Sequence, residues 1–345
     1  MWHTWQIVVK NKKKYFWIVM DTIDILIIFV VIVIIIVLIA FTSRNMDCFE
    51  GSFDVPDDTL YVVYSIGNSG YQEWQGDLLD FSFVLSKQPG TLIRLVSDDS
   101  QDKRKINKTK YGYTLITPDF SRVGDKVWPV MNKPGSMKYL MDALSPEWKT
   151  RNQNATFVFL DPDMIFTKPW DPRDKFTRGQ VYGQKWKGYS RTYCEDTSIR
   201  TELCPDSEED GPIMFPFAMK VGDFDNISDD ISEFAKKGYL KKSQWMADMS
   251  AFVTAIEKAG YKNIQIDNLG LCNNWNNKDD ESAPIVHFCQ SIKNSSGKKI
   301  WSKHHYQRNY TYGDRFQDVP DPSEAVNRVD REVLQMIKKL IASQK

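Results

Sequence analysis

Two carboxylates at the end of an apolar run are the residues with the clearest chemical potential in this sequence. Asp161 and Asp163 directly follow the run 156–160, and Pro162 stands between them. Carboxylate oxygens are ligands that Mg²⁺ and Mn²⁺ prefer, and Mg²⁺ usually takes one or two of them together with phosphate oxygens. A solvated turn with two acids is the alternative. The strand-like run before the pair and the apolar residues after it favour an ion site.

A histidine late in the chain could complete the ligands of this ion. His287 ends the short apolar run 284–287, and an imidazole combined with two carboxylates suits Mn²⁺. A core histidine bonded to a backbone carbonyl is the alternative. Lys303, His304 and His305 follow and could contact a diphosphate or form a solvated basic tip.

Strand-like and helix-like patterns alternate through the region around the two Asp residues. Apolar runs typical of buried strands are followed by segments with apolar residues at helical spacing. Strands are predicted at 60–66, 91–97, 113–116 and 156–160, and helices at 71–86 and from Pro134 to Leu144. This alternation predicts an α/β fold with a parallel sheet and helices on both faces. In such sheets ligands bind beyond the carboxyl ends of the strands, where the Asp pair lies.

The pattern is looser after Asp163. Residues 170–212 are rich in Gly and charged residues, which predicts a loop insertion. Helices are predicted at 227–237 and 244–259, a strand at 262–266, and an amphipathic terminal helix from Pro322 with Ser323 as its cap.

A membrane anchor is predicted near the start of the chain. Residues 25–39 are fifteen consecutive Ile, Leu, Val or Phe residues, and the span 17–41 is long enough to cross a bilayer. Four lysines precede the span, and positive charge stays on the cytoplasmic side. We therefore expect a single-pass type II protein of the Golgi or ER membrane, held in lipid by this helix. The predicted parts are a cytoplasmic tail (1–16), an uncleaved signal anchor (17–41), a stem (42–58) and a lumenal catalytic domain (59–345).

Sequons and cysteines agree with a secretory address. Five Asn-x-Ser/Thr sequons occur, at Asn107, Asn154, Asn226, Asn294 and Asn309. Two local disulfides, Cys194–Cys204 and Cys272–Cys289, are the simplest pairing, although four cysteines allow three connectivities. Cys48 is left over and could link two chains or stay free.

Charge balance argues against a nucleic-acid partner. The 345 residues include 45 basic and 45 acidic side chains, for a formal net charge of zero, whereas coating nucleic acid needs a basic excess. Aromatic residues make up 13% of the chain, which disfavours long disorder. Four tryptophans could supply stacking surfaces for a sugar or a base, and we expect only one or two of them to do so, because most aromatic residues are core: Trp74, Trp128, Trp186 and Trp245.

Six short blocks, in this order along the chain, carry a family resemblance. They are Tyr71-Gln-Glu-Trp-Gln75, Pro89-Gly-Thr-Leu-Ile-Arg-Leu-Val-Ser97, Asn132-Lys133-Pro134, Phe159-Leu-Asp-Pro-Asp-Met-Ile-Phe166, Trp245-Met-Ala-Asp248-Met-Ser-Ala-Phe252 and Ile285-Val-His-Phe-Cys289. Together they resemble the plant-type peptidyl hydroxyproline O-arabinosyltransferase and peptidyl serine α-galactosyltransferase family. The resemblance covers roughly residues 60–310.

The resemblance implies a glycosyltransferase of the GT-A fold that uses a UDP-sugar donor and Mn²⁺ or Mg²⁺. Carried over by position, it assigns the ion to Asp161, Asp163 and His287, which matches the interpretation reached from the residues. It places Asn132 and Lys133 near the donor, where Asp161 and Lys303 are also expected. Asp248 stands where the family has Glu, and it is the candidate for the base that takes the proton of the acceptor hydroxyl if the configuration inverts. A helix-surface acid beside Lys241 and Lys242 is the alternative.

Three functions remain open from the sequence. The first is transfer of a sugar to a peptide hydroxyl, with hydroxyproline expected ahead of serine. The second is an enzyme of the same fold that acts on a glycan or a lipid-linked acceptor. The third is a membrane-tethered binding protein without turnover, which the intact set of ion ligands disfavours.

Overall fold

The protein is described by a computed structural model in two separate units, 1–52 and 53–345. The described residues are 5–11, 14–20, 53–98, 106, 108–185, 213–242, 247–272, 283–306 and 319–344. In the first unit, strand β1 (Trp5–Asn11) pairs antiparallel with β2 (Lys14–Met20), with Trp5 opposite Met20. The start of the expected anchor, 17–20, therefore lies in a strand.

Most of the expected membrane anchor, residues 21–41, lies outside the described residues, as does Cys48. Among the described residues, no helix combines the length and apolar character needed to cross a bilayer. The anchor therefore stays a prediction. The pair Cys194–Cys204, Trp186 and Trp245 also lie outside the described residues.

The second unit alternates strands and helices. Its strands are β3 (Leu60–Gly67), β4 (Thr91–Asp98), β5 (Tyr113–Pro118), β6 (Arg122–Val123), β7 (Lys126–Val127), β8 (Thr156–Leu160), β9 (Met164–Phe166), β10 (Gln180–Lys185), β11 (Ile213–Lys220), β12 (Lys262–Ile266), β13 (Gly270–Cys272), β14 (Ile285–His287), β15 (Ile292–Lys293) and β16 (Lys299–Trp301). Its α-helices are α1 (Gly70–Leu85), α2 (Asn132–Ala143), α3 (Pro146–Asn152), α4 (Val221–Lys242), α5 (Ala247–Lys258) and α6 (Arg328–Ala342).

A seven-stranded sheet, in the order β12-β10-β11-β8-β3-β4-β5, forms the centre of this unit. Strands β8, β3, β4 and β5 are parallel neighbours, whereas β11 runs antiparallel to both β8 and β10. The expectation of an α/β fold with a mostly parallel sheet is confirmed. The expected loop insertion at 170–212 is wrong for residues 180–185, which form β10 inside the central sheet. The antiparallel β11 was not expected either, because it follows this segment, where the sequence pattern is lost.

A second, smaller core lies beside the first. It packs α1 and α6 against the three-stranded sheet β13-β14-β9 and the hairpin β15-β16. Trp74 of α1 is fully buried there against Phe288 and Trp301. Trp74 is therefore not one of the tryptophans that offer a stacking surface, because the apolar face of α1 uses this ring as core. This core holds β9 and β14 against the main body.

Polar caps define where the helices begin. Ser69 accepts a hydrogen bond from the backbone N–H of Gln72 at the start of α1, an interaction worth about 1 kcal/mol. At the end of the chain, Asp321 caps a short 3₁₀ turn and Asn327 caps α6. The expected cap, Ser323, is therefore wrong: its hydroxyl donates to Asp321, and the helix starts later.

Residues 53–58, which were assigned to the stem, pack onto the folded body. Val55 is buried, and its carbonyl oxygen accepts a hydrogen bond from Trp148 Nε1. The side chain of Arg151 binds Asp57. The body of the protein thus begins at Phe53 rather than at residue 59.

Candidate functional site

The site begins at the turn that follows β8. Every residue of β8 is buried, because the strand lies between β11 and β3 in the centre of the sheet. The chain then turns through Asp161 and Asp163, and the backbone N–H of Met164 donates to the carbonyl of Asp161. Strand β9 continues away from the large sheet and joins the small one. Asp163 is consequently enclosed at the junction of the two sheets, with 6% of its surface exposed.

Strand pairing brings His287 to the two Asp residues. Strand β14 runs antiparallel to β9, with His287 opposite Met164. The backbone N–H of Phe288 donates to the carbonyl of Asp163 at 3.0 Å, which extends this pairing by one residue. His287 Nε2 then lies 3.1 Å from Asp163 Oδ1. The backbone register therefore determines where the imidazole lies.

A disulfide supports the same strand. Cys272, at the end of β13, is bonded to Cys289, two residues beyond His287. One of the two expected local disulfides is thus confirmed. These sulfurs also lie near His287, but a disulfide offers no thiolate to a metal, so they do not form a second ion site.

The residues fit a divalent ion. One ligand atom each from Asp161, Asp163 and His287 lies within 4.8 Å of the others. Two carboxylates and one imidazole form a donor set that suits Mn²⁺, and the two carboxylates also suit Mg²⁺. The cluster lies at the carboxyl end of β8, the edge where open α/β sheets bind ligands.

Lys303 contributes a positive charge to this cluster. It lies in the 3₁₀ helix Lys303–Tyr306, and its ammonium group contacts Asp163 Oδ2. Burial alone would raise the pKa of the Asp163 carboxyl, but the neighbouring His287 and Lys303 hold that pKa well below its usual range. Burial alone would lower the pKa of Lys303, and attraction to Asp163 raises it instead.

Lys133 joins the cluster to Asp248. Its Nζ atom lies 2.6 Å from Asp161 Oδ1 and 2.7 Å from Asp248 Oδ2. Lys133 comes from the first turn of α2 and Asp248 from the first turn of α5, so two helices converge on the turn after β8. Burial alone would lower the pKa of Lys133, but the charges of Asp161 and Asp248 raise it above its usual value.

Asn132 lies beside Lys133 but has a local role. Its side-chain oxygen accepts a hydrogen bond from the backbone N–H of Phe120 at 2.7 Å. The residue Asn132 is 7% exposed. Its amide nitrogen lies near Gly67, in the turn after β3. Asn132 thus connects the loop at Phe120 with the turn at Gly67, and its expected place near the donor stays a prediction.

One residue near the cluster was not assigned a role from the sequence. Tyr71, in the first turn of α1, stacks on the ring of His304, and its hydroxyl oxygen lies 3.4 Å from His304 Nδ1. The pKa of Tyr71 is raised, chiefly by burial. Its position directly after the β3–α1 turn was the available signal, because such turns lie at the ligand edge.

The structure brings together six of the seven side chains that the sequence assigned to the ion, the donor or the reaction. These six are Lys133, Asp161, Asp163, Asp248, His287 and Lys303. Asn132 adjoins the group through α2 but directs its side chain at the neighbouring loop. The roles of these residues remain predictions.

Comparison with curated proteins identifies two relatives of the same name. The chain is 24% identical over 295 residues to the peptidyl serine alpha-galactosyltransferase of Arabidopsis thaliana, covering 77% of this chain and 34% of the relative. It is 28% identical over 116 residues to the protein of that name from Chlamydomonas reinhardtii, covering 32% and 15%. The family resemblance stated from the sequence is thereby confirmed. The chain spans about a third, or less, of the length of these relatives.

Solved structures give more distant similarities. A bifunctional glycosyltransferase, WbbM, aligns with a TM-score of 0.45 at 10% identity, covering 70% of this chain and 48% of that one. The galactosyltransferase LgtC, in complex with donor and acceptor sugar analogues, aligns with a TM-score of 0.42 at 8% identity, covering 71% and 93%. No family model matches the chain.

Proposed function

We propose that this chain is a glycosyltransferase that depends on a divalent ion and moves a sugar from a UDP-sugar donor to a hydroxyl group of a protein. The observation that carries the proposal is the convergence of Asp161, Asp163 and His287, whose ligand atoms lie within 4.8 Å of one another at the edge of the sheet. The name shared by the two curated relatives supports the reaction class.

Serine is the acceptor we propose first, with galactose as the sugar, because both relatives carry that name. Hydroxyproline, which was expected first from the sequence, is the second candidate. The sequence blocks resemble the hydroxyproline-directed and the serine-directed enzymes alike, so they support both acceptors. A glycan-directed transferase and a binding protein without turnover are the remaining alternatives, and the assay below separates them.

The residues at the site have distinct parts in this reaction. A bound Mn²⁺ or Mg²⁺ would supply positive charge to the diphosphate as it leaves. Asp161, Asp163 and His287 would hold that ion. Lys303, next to Asp163, brings a second positive charge to the same place, where it can stabilise the leaving group.

Asp248 is the carboxylate proposed to act on the acceptor. If the configuration at the anomeric carbon inverts, a base must take the proton of the acceptor hydroxyl, and Asp248 is the candidate. If the configuration is retained, as for an α-linked product from an α-linked donor, a separate base is not strictly required. The anomeric configuration of the product, read by NMR, decides between these roles.

The cellular setting is also part of the proposal. The apolar span 17–41 and the lysines before it support a type II protein of the Golgi or ER membrane with a lumenal body. A disulfide between two chains through Cys48 is a further sequence-based prediction, which electrophoresis without reducing agent tests.

The decisive experiment is a transfer assay with the purified full chain. A panel of UDP-sugars is offered with serine-containing and hydroxyproline-containing peptides, with Mn²⁺, with Mg²⁺ and with a chelator. We expect transfer from one UDP-sugar that stops when the ion is removed. The peptide that becomes modified identifies the acceptor. Donor hydrolysis without transfer to either peptide would favour a glycan acceptor. The absence of both donor hydrolysis and transfer would refute the proposal that the chain is an enzyme.

A further inference from the structure

Lys133 lies between two carboxylates that come from different parts of the fold. Its Nζ atom is 2.6 Å from Asp161 Oδ1, at the turn after β8, and 2.7 Å from Asp248 Oδ2, in the first turn of α5. The same atom lies 4.2 Å from the centre of the Phe215 ring, within range of a cation–π interaction. The ammonium group therefore joins the ion-binding turn to α5.

These contacts use most of the hydrogen-bonding capacity of Lys133. An ammonium group has three N–H donors and no acceptor. Two of them have carboxylate partners, and an aromatic ring covers another side of the group. Little capacity remains for a diphosphate. Lys303 contacts one carboxylate, Asp163, in the described part of the chain, and is therefore better suited to the donor-binding role that the sequence assigned to both lysines.

The burial of the pair makes Asp248 depend on Lys133. The side chains of Lys133 and Asp248 are 14% and 4% exposed. A buried carboxylate needs a charged or hydrogen-bonding partner, and a second carboxylate at short range repels it. Lys133 supplies the ion pair that Asp248 makes within the described residues, so without the ammonium group the Asp248 carboxylate would lose that partner and would still face Asp161. We would then expect the Asp248 side chain to turn away.

We propose that Lys133 is a positioning residue that holds Asp248 beside the ion-binding turn, and that it contributes to transfer through Asp248 rather than through the donor. This inference rests on the proposed function of the site, in the inverting form in which Asp248 takes the proton of the acceptor hydroxyl. It changes the expected role of Lys133 from binding the donor to orienting a carboxylate for the acceptor.

A double-mutant cycle tests this inference. Transfer is measured for the wild type, Lys133→Met, Asp248→Asn and the double variant in the full chain. We expect Lys133→Met to lower kcat by about 100-fold, the order of loss typical of misplaced reacting groups, while the KM for the UDP-sugar changes less than about threefold. In the Asp248→Asn background, Lys133→Met should cost less than about threefold further, because its partner is already lost.

Matched variants show whether the charge itself matters. Lys133→Arg keeps the positive charge and has N–H donors for both carboxylates, and should recover at least about tenfold of the activity that Lys133→Met loses. Lys138→Met is the control, because Lys138 lies on the same helix and also contacts two carboxylates, Asp142 and Asp229, but at the surface. We expect its kcat and KM to match the wild type.

Two results would overturn the inference. One is that the fold losses in kcat of Lys133→Met and Asp248→Asn multiply in the double variant. The other is that Lys133→Met raises the KM for the donor strongly and leaves kcat unchanged. If the wild type transfers nothing, the proposed function fails, and thermal unfolding of the same four proteins decides the inference alone. Lys133→Met should then lower the unfolding midpoint less in the Asp248→Asn background than in the wild type. Lys133→Gln replaces Lys133→Met if the latter does not fold.

Discussion

His287 Nε2 lies 3.1 Å from Asp163 Oδ1, although the two residues are far apart in the sequence and belong to different strands. The antiparallel register of β14 on β9 creates this contact, and the small core beneath α1 and α6 holds both strands in place. The candidate ion site therefore depends on tertiary packing as much as on its ligands.

Removal of Asp163 should abolish ion-dependent transfer. Asp163→Ala deletes one of three expected ligands, and the affinity for Mn²⁺ should fall by more than about 100-fold, since even outer-shell partners of metal ligands are worth 10–100-fold. Calorimetric titration of the full chain with Mn²⁺ in the presence of UDP measures this affinity. Circular dichroism should show an unchanged fold. Asp174→Asn, an exposed acid outside the cluster, is the control, and equal Mn²⁺ affinity in both variants would contradict the site.

The disulfide beside His287 should stabilise the body. Replacing Cys272 and Cys289 together by Ser avoids a leftover thiol and removes a cross-link with a sequence separation of 17. The chain-entropy account predicts a loss of about 2–4 kcal/mol in the free energy of unfolding. Denaturant titration measures the loss, and the wild type under reducing conditions should unfold like the double variant. An unchanged midpoint would show that the cross-link adds nothing to the folded state.

A buried ion pair away from the site should be essential for stability. Arg94 of β4 is fully buried, and its guanidinium group binds Asp80 at 2.6 Å, Asp77 at 2.7 Å and the hydroxyl of Tyr64. Asp80→Asn leaves this cation under-compensated, so we expect a loss of about 3 kcal/mol in the free energy of unfolding.

The surface pair on α2 provides the comparison for Asp80. Asp142 binds Lys138 four residues away, and its side chain is 60% exposed. Asp142→Asn should change the free energy of unfolding by less than about 0.5 kcal/mol, because solvent screens such pairs. Similar losses for Asp80→Asn and Asp142→Asn, measured by denaturant titration, would refute the importance of the buried pair.

A lumenal body should carry an N-linked glycan at Asn294. This sequon occupies the turn between β15 and β16, where the hydroxyl and the backbone N–H of Ser296 both donate to the Asn294 side chain. In the sequons at Asn154 and Asn226, the hydroxyl residues Thr156 and Ser228 are buried. When the full chain is expressed in eukaryotic cells, removal of N-glycans should increase its mobility on a gel. Asn294→Gln should lose one glycan, and a mobility unaffected by deglycosylation in every form would contradict the lumenal placement.

The local part of the fold was readable from the sequence because buried strands and amphipathic helices leave periodic patterns. The strands near 60–66, 91–97 and 156–160 and the helix near 71–86 lie within one or two residues of their expected bounds. The pattern failed within 170–212, where a loop was expected and β10 is found, and directly after it, where the antiparallel β11 and the early start of α4 at Val221 were not expected. Strand direction is set by pairing partners, and a single run of residues does not record them.

The candidate site also has a part that the sequence predicts and a part that it does not. The sequence alone determined the chemistry of the site, since two Asp residues after a buried strand and a late His are oxygen and nitrogen ligands whatever their surroundings. Only the tertiary structure decided that β14 pairs with β9, that Lys133 bridges Asp161 and Asp248, and that Trp74 is core. The physical reason is that ligand chemistry belongs to individual side chains, whereas distances between them depend on long-range pairing and packing, which many residues determine together.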